Sequence, residues 1–170
     1  MASFTFKAGD DYAVKLSRLA GQADAVAARA VAKGAGMVAD QIRKNLEALA
    51  EDAHYSGTHP EYYFLTESEN YTGIPAYQKQ DLLDSLGFTP VQVDSNGNYN
   101  SKVGFDGYGS QPTAKYPQGL PNQLAARATE SGSSIRPKQP FVRPAVRSTK
   151  QKVVEAMQEV IDAAIESTMK

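Results

Sequence analysis

His54, His59 and Glu61 are the only clustered side chains of this 170-residue sequence that metals commonly recruit. Their His-x4-His-x-Glu spacing fits no tight ligand set, and all three fall in a stretch without helical or strand period, so they read as exposed polar loop. Any histidine general base must be one of these two, because the chain has no others. No Gly-x-Ser-x-Gly marks a serine nucleophile and no Gly-x4-Gly-Lys-Ser/Thr cradles a phosphate. Gly104-x2-Gly107-x-Gly109 does not open a helix, as a dinucleotide site requires. Asp81 and Asp84 lie one helical turn apart and read as the solvated start of a helix rather than an acid–base pair. The expectation is a non-enzyme with no metal, no cofactor and no catalytic or cofactor-binding residue.

One basic stretch remains. Arg136, Lys138, Arg143, Arg147, Lys150 and Lys152 crowd around the start of the last helix, with Arg143, Arg147 and Lys150 at steps of four and three. Phosphate contact is one reading of that face, though no recognition-helix motif or stacking aromatic accompanies it.

Apolar residues are 41% and charged residues 22% of the chain, enough for the core of one domain over 1–170. The absence of cysteine excludes disulfides, thiolate-ligated metals and thiol catalysis. No apolar run approaches the ~18 residues that span a bilayer, and the N-terminal residues carry no secretion signal, so a soluble cytoplasmic product is expected. The formal net charge of −1 conceals a partition. Residues 1–50 sum to +2, residues 51–110 to −7 and residues 111–170 to +4. Separated blocks of opposite sign allow identical copies to dock head to tail.

The elements that must carry these residues begin with a helix. Val26, Ala30, Gly34, Val38, Ile42, Leu46 and Leu49 form one apolar stripe at three- and four-residue steps, with Gly21 expected to break or kink an earlier turn. The stripe is small-sided, which predicts close packing. Residues 51–80 form an inserted aromatic loop or arm, where Tyr62, Tyr63, Phe64, Tyr71 and Tyr77 are candidate interface anchors. A helical turn at 81–86 leads to strand-like 87–93, and Asn96-Gly97 predicts a hairpin with positive φ at both turn residues, returning through 99–105. Residues 106–123 are a second long loop, and 124–130 fits a strand or a helical turn. Pro137, Pro140 and Pro144 keep 135–144 extended, with Phe141 as core anchor and Pro144 in the first turn of the last helix. That helix is expected to bury Val142, Val146, Thr149, Val153, Met157, Val160/Ile161, Ala164/Ile165 and Met169. The fold class is α+β: long N- and C-terminal amphipathic helices packed on a small antiparallel β-sheet, with a long extended arm.

Three segments together carry a family resemblance. They are Asp81-Leu82-Leu83-Asp84-Ser85-Leu86 followed by Val103-Gly104-Phe105; Ala128-Thr129-Glu130-Ser131-Gly132; and Lys138-Gln139-Pro140-Phe141-Val142-Arg143-Pro144-Ala145-Val146. With the Ala-rich helix from Ala23 to Leu49, this layout resembles the neck and tail-completion family of long-tailed phages typified by the HK-ninety-seven gene-ten product. It is similar in layout to the lambda minor tail protein Z. The Thr-Gly that usually precedes the leucine element stands upstream here, as Thr72-Gly73, as if 51–80 carried an insertion. The resemblance implies a virion protein, assembled in the host cytoplasm, in a ring of six or twelve copies around the DNA channel at the head–tail junction. Its implied partners are itself, the head-completion protein, the tail terminator and the tail tube, with non-specific contact to packaged DNA and no membrane. A tail terminator or connector ring of the same neck is the neighbouring reading. A DNA-binding accessory protein using 136–152 is the alternative from another class. Arg143 and Arg147 are the candidate interface cations.

Overall fold

A 38-residue helix, α1 (Asp10–Glu47), opens the described part of the computed structural model, which covers residues 10–52, 72–133 and 136–170. Gly21 neither breaks nor ends it. Nothing lies within 4 Å of where a Cβ on Gly21 would sit, so its only cost is the ~1 kcal/mol of glycine in a helix interior, which the surrounding alanines outweigh. The predicted stripe is the buried one: Val26, Ala30, Ile42 and Leu46 are at most 6% exposed.

The remaining elements are α2 (Ala76–Ser85), β1 (Leu86–Phe88), β2 (Gln92–Val93), β3 (Tyr99–Asn100), β4 (Val103–Phe105), α3 (Asn122–Ser131) and α4 (Val142–Met169). The fold is therefore α+β, with two long helices, two short ones and a small antiparallel β region among the described residues. The segment that fitted strand or helix is helical, α3, because Leu124-Ala125-Ala126-Arg127-Ala128 is a run of strong helix formers behind Pro121. The described residues divide into two compact units: one takes the chain up to Gly34 with Pro90–Ser101 and Lys152–Lys170, the other Ala35–Thr89 with Lys102–Gln151.

The second unit holds the main core. Ile42, Leu46, Ile74, Leu82, Leu86, Phe105, Phe141 and Ala145 are all buried together. Leu86 pairs with Phe105 and Phe88 with Val103 across the β1–β4 ladder. Phe141, fully buried, meets Phe105 edge-to-face with ring centroids 5.9 Å apart. Asp52 and Thr72, distant in sequence, meet in this unit. The buried Asp52 carboxylate accepts the Thr72 N–H at 2.5 Å, the Thr72 hydroxyl at 3.1 Å and the Gly73 N–H at 3.2 Å. Glu51 and Ile74 form a parallel bridge beside it.

In the first unit, Gly34 lets the two long helices approach. A Cβ there would come within 3.0 Å of both Met157 Sδ and Val153 Cγ1, whereas the neighbouring Gly36 faces open space. Lys15 Nζ donates to the terminal carbonyls of Met169 and Lys170 at 2.9 and 3.2 Å, answering acceptors that a helix C-terminus leaves unmet. The hairpin between β2 and β3 is present, but only Gly97 has positive φ (80°), and no described non-glycine residue does. The turn is right-handed, closed by Gly97 N–H to Asp94 O at 3.0 Å. Asp94 enforces it by accepting the backbone N–H groups of Asn96 and Asn98, both at 2.9 Å. The Asn98 backbone and side-chain amides, with the Asn96 N–H, hold the Asp94 carboxyl below the usual carboxylate range. Tyr99 donates its hydroxyl to Asp24 at 2.6 Å, which pushes that phenol up. The predicted strands form two ladders offset by one residue: from Phe88 to Gln92 one strand advances four positions while its partner goes back three, from Val103 to Asn100.

Helix α4 keeps most of the expected stripe: Thr149 and Ala164 are buried, and Val142, Val153, Met157, Val160 and Met169 are half-buried. Val146 is the correction, 48% exposed where the preceding Ala145 is fully buried. Of the two alternative pairs it is Val160 and Ala164 that turn inward, leaving Ile161 and Ile165 40% and 39% exposed.

Candidate functional site

Two of the sequence segments that carry the resemblance are physically one structure. Glu130, near the end of α3 and 7% exposed, reaches the N-terminus of α4. Its Oε2 accepts the N–H groups of Phe141 and Val142 at 2.7 and 2.8 Å, and its Oε1 accepts that of Arg143 at 3.0 Å. A carboxylate under the first turn meets orphan donors and the positive end of the helix dipole. Thr129, fully buried, adds a second tie, its carbonyl accepting the Gln139 N–H at 2.9 Å. These segments fix how α4 leaves the core.

The candidate interface residues are not brought to one place. Tyr62, Tyr63, Phe64 and Tyr71 lie outside the described residues, as do His54, His59 and Glu61. Tyr77 sits on α2, half-buried. Arg143 and Arg147 are exposed on the first turns of α4 with Lys150. Arg143 Nε stands 3.8 Å from Glu130 Oε1 with its side chain 69% exposed, so the pair contributes little. Asp81 and Asp84 have separate partners: Asp81 Oδ2 takes Ser110, and Asp84 Oδ1 takes the Gln80 amide at 2.8 Å. Further along α4, Val154, Ile161 and Ile165 follow at steps of seven and four and are 58%, 40% and 39% exposed. Such steps place them along one helical face, an apolar row open to solvent.

A cavity of about 560 Å³ opens in the second unit, walled by α2, α3 and the 106–123 loop. The loop is a closed structure of its own. Gly109 N–H donates to Leu120 O at 2.8 Å and Asn122 N–H to Gly107 O at 3.1 Å, while Thr113 and Tyr116 exchange backbone bonds at the tip. Gly119 is obligatory here: φ is 95°, and a Cβ would fall 1.9 Å from the Gly109 carbonyl oxygen. The walls are Tyr77, Tyr116, Leu120 and Ala125, with Asp81, Asn122 and Arg136 as polar groups. Arg136 Nη1 donates to Gln78 Oε1 at 2.5 Å and to Thr129 Oγ1 at 3.2 Å. Among the described residues no three His, Asp or Glu side chains converge to hold a metal ion, and no helix is long and apolar enough to cross a membrane.

No family model, curated protein or solved structure matches this chain. Function therefore has to be argued from its own side chains. The role of Glu130 was hidden in the sequence, because capping patterns are local and this carboxylate acts eleven residues upstream of the amide it meets first. The cavity left a partial trace, in the glycines at 107, 109 and 119 that close its loop.

Proposed function

We propose that the chain is a structural subunit of a phage neck, a ring of identical copies at the head–tail junction that joins head to tail around the DNA channel. The observation that carries this reading is the row Val154, Ile161 and Ile165, aliphatic side chains in solvent on one face of α4. Each is about half exposed, so covering it contributes about half of the 1.5–3 kcal/mol of full burial, roughly 1 kcal/mol each, and the row gains from a protein partner. The partner in this proposal is the next copy. A ring contact is heterologous, one patch against a different patch, and the −7 and +4 charge blocks of the sequence supply complementary patches. Exposed ion pairs are worth only ~0.2–1 kcal/mol each, so charge sets orientation and rate while apolar contacts hold the ring. The signature segments fit a structural role, since Glu130 and Phe141 act on the fold itself.

Imaging of intact particles tests the proposal: a ring of this chain at the junction, with its own rotational symmetry, is expected. Labelled chain found only elsewhere in the particle refutes it. The exposed Arg143, Arg147 and Lys150 favour the DNA-binding reading as the competitor. Binding to duplex DNA tighter than ~1 μM at physiological salt, with a steep salt slope, would decide for that competitor.

A further inference from the structure

The cavity between α2, α3 and the 106–123 loop is not needed by the ring proposal, and its size of about 560 Å³ falls within the range of small-ligand sites. Its polar groups are unevenly satisfied. Asn122, 3% exposed, donates its Nδ2 to Asp106 O at 2.8 Å. That bond fixes the amide orientation and leaves Oδ1 buried with no hydrogen-bond partner. Asp81 accepts the Ser110 N–H at 2.9 Å and its hydroxyl at 3.1 Å, both on Oδ2, so Oδ1 makes no hydrogen bond among the described residues. Gly109 stands between the two acceptors: a Cβ there would lie 3.0 Å from Asp81 Oδ2 and 3.7 Å from Asn122 Oδ1. The missing side chain keeps that corner open. The two cations that line the cavity point to other groups, Arg136 to Gln78 and Thr129, and Lys115 Nζ over the Tyr116 ring at 5.5 Å.

We propose that this cavity binds a small ligand whose polar head is a cationic hydrogen-bond donor, an ammonium or amidinium, on a flat apolar body. The head meets Asp81 and Asn122, and the body lies along Tyr77, Leu120 and Ala125. A buried acceptor left unmet is costly, and a positively charged group with several N–H donors can supply both the Asn122 amide oxygen and the Asp81 carboxylate. An anionic head of the same shape meets two acceptors and no donor in that corner.

Ligand-observed NMR and calorimetry on the full chain decide it with one ring bearing different heads: benzylamine, benzamidine, benzoate and toluene. Benzylamine and benzamidine are expected to bind at least about tenfold more tightly than benzoate and toluene. N-acetyl-lysine methylamide binding more tightly than benzylamine supports the same head chemistry and assigns its source to a partner's side chain. Asp81→Asn is expected to weaken benzylamine about tenfold. Gly109→Ala, at a position without positive φ, is expected to abolish binding while far-ultraviolet circular dichroism stays native. Benzoate or toluene binding as tightly as the amines overturns the proposal. So does no binding of any probe at about 10 mM, where even a weak ~1 mM site would be filled, or unchanged amine affinity in both variants.

Discussion

Replacing Glu130 with glutamine removes a full negative charge from beneath α4 while keeping the side chain's shape. The amide can place its oxygen where Oε2 stood, keeping the Phe141 and Val142 N–H groups, but its NH2 then faces the Arg143 N–H. One charge-assisted bond is lost, worth about 1.5 kcal/mol at the lower end, and the two that remain become neutral and weaker. The charge–dipole attraction adds ~0.5–1 kcal/mol, giving about 2–3 kcal/mol in all. Alanine at the same position leaves three donors unmet and is expected to cost about 4 kcal/mol. For a chain of this length each kcal/mol lowers Tm by about 2–4 °C, so Glu130→Gln should melt about 5–10 °C early. Because the described residues form two compact units, a single melting curve can mix two transitions. Amide hydrogen exchange at Phe141, Val142 and Arg143 is the local assay, and a loss of 2 kcal/mol should speed it about 30-fold. Exchange at those three amides within twofold of wild type, or identical effects of glutamine and alanine, would refute the assignment of charge and geometry to this carboxylate.

Charge reversal of Arg147 and Lys150 to Glu should slow assembly and reduce its salt sensitivity without unfolding α4; unchanged joining kinetics in low salt would count against the charged contact. Arg143 is left out of that pair because a carboxylate there would face Glu130 across 3.8 Å. Gly21→Ala and Gly36→Ala, both facing open space, should each stabilise by about 0.5–1 kcal/mol, whereas Gly34→Leu should destabilise by about 1–3 kcal/mol against Met157 and Val153, all read by denaturant midpoint. Asp52→Ala strips the buried acceptor from Thr72 and Gly73 and should cost about 2–3 kcal/mol, seen as faster exchange at the Thr72 and Gly73 amides. The Asp94 carboxyl titrates below its unfolded value, so its contribution is complete above the ordinary carboxylate range and fades as pH falls through the lowered value; Tyr99 titrates above its unfolded value, so its contribution is complete below the ordinary phenol range and fades as pH rises through the raised value. Carboxyl and ring NMR titrations of Asp94 and Tyr99 check both directions.

The long helices were legible because their stripes obey the helical period, and Phe141 was legible because two prolines frame it. What the period could not show was which edge of a stripe faces inward. On α4, Val146 fits the apolar repeat yet is exposed while the smaller Ala145 beside it is buried, and of the pair Ala164/Ile165 it is the smaller Ala164 that occupies the interior. At Gly34 the stripe is filled by Val153 and Met157, which occupy the space its missing side chain leaves. The hairpin was legible from Asn96-Gly97, but its handedness was decided by Asp94, whose carboxylate organises the turn from outside the pair. Of the candidate site, the basic start of α4 was visible as a run of charges. Of the cavity only the loop glycines left a trace, because its walls come from residues dispersed between Tyr77 and Arg136 that only folding brings together.

The clasp that Asp52 makes on Thr72 and Gly73 bears on changes of chain length. Since Asp52 and Thr72, 20 residues apart in sequence, are joined by hydrogen bonds, the two ends of the intervening sequence are fixed by the clasp itself and not by that sequence's length. Loop-closure entropy rises by only about 0.6 kcal/mol for each doubling of length. Changes of length between Asp52 and Thr72 are therefore expected to cost far less than changes to the clasp, and to spare the core that Ile74 and Leu82 fill.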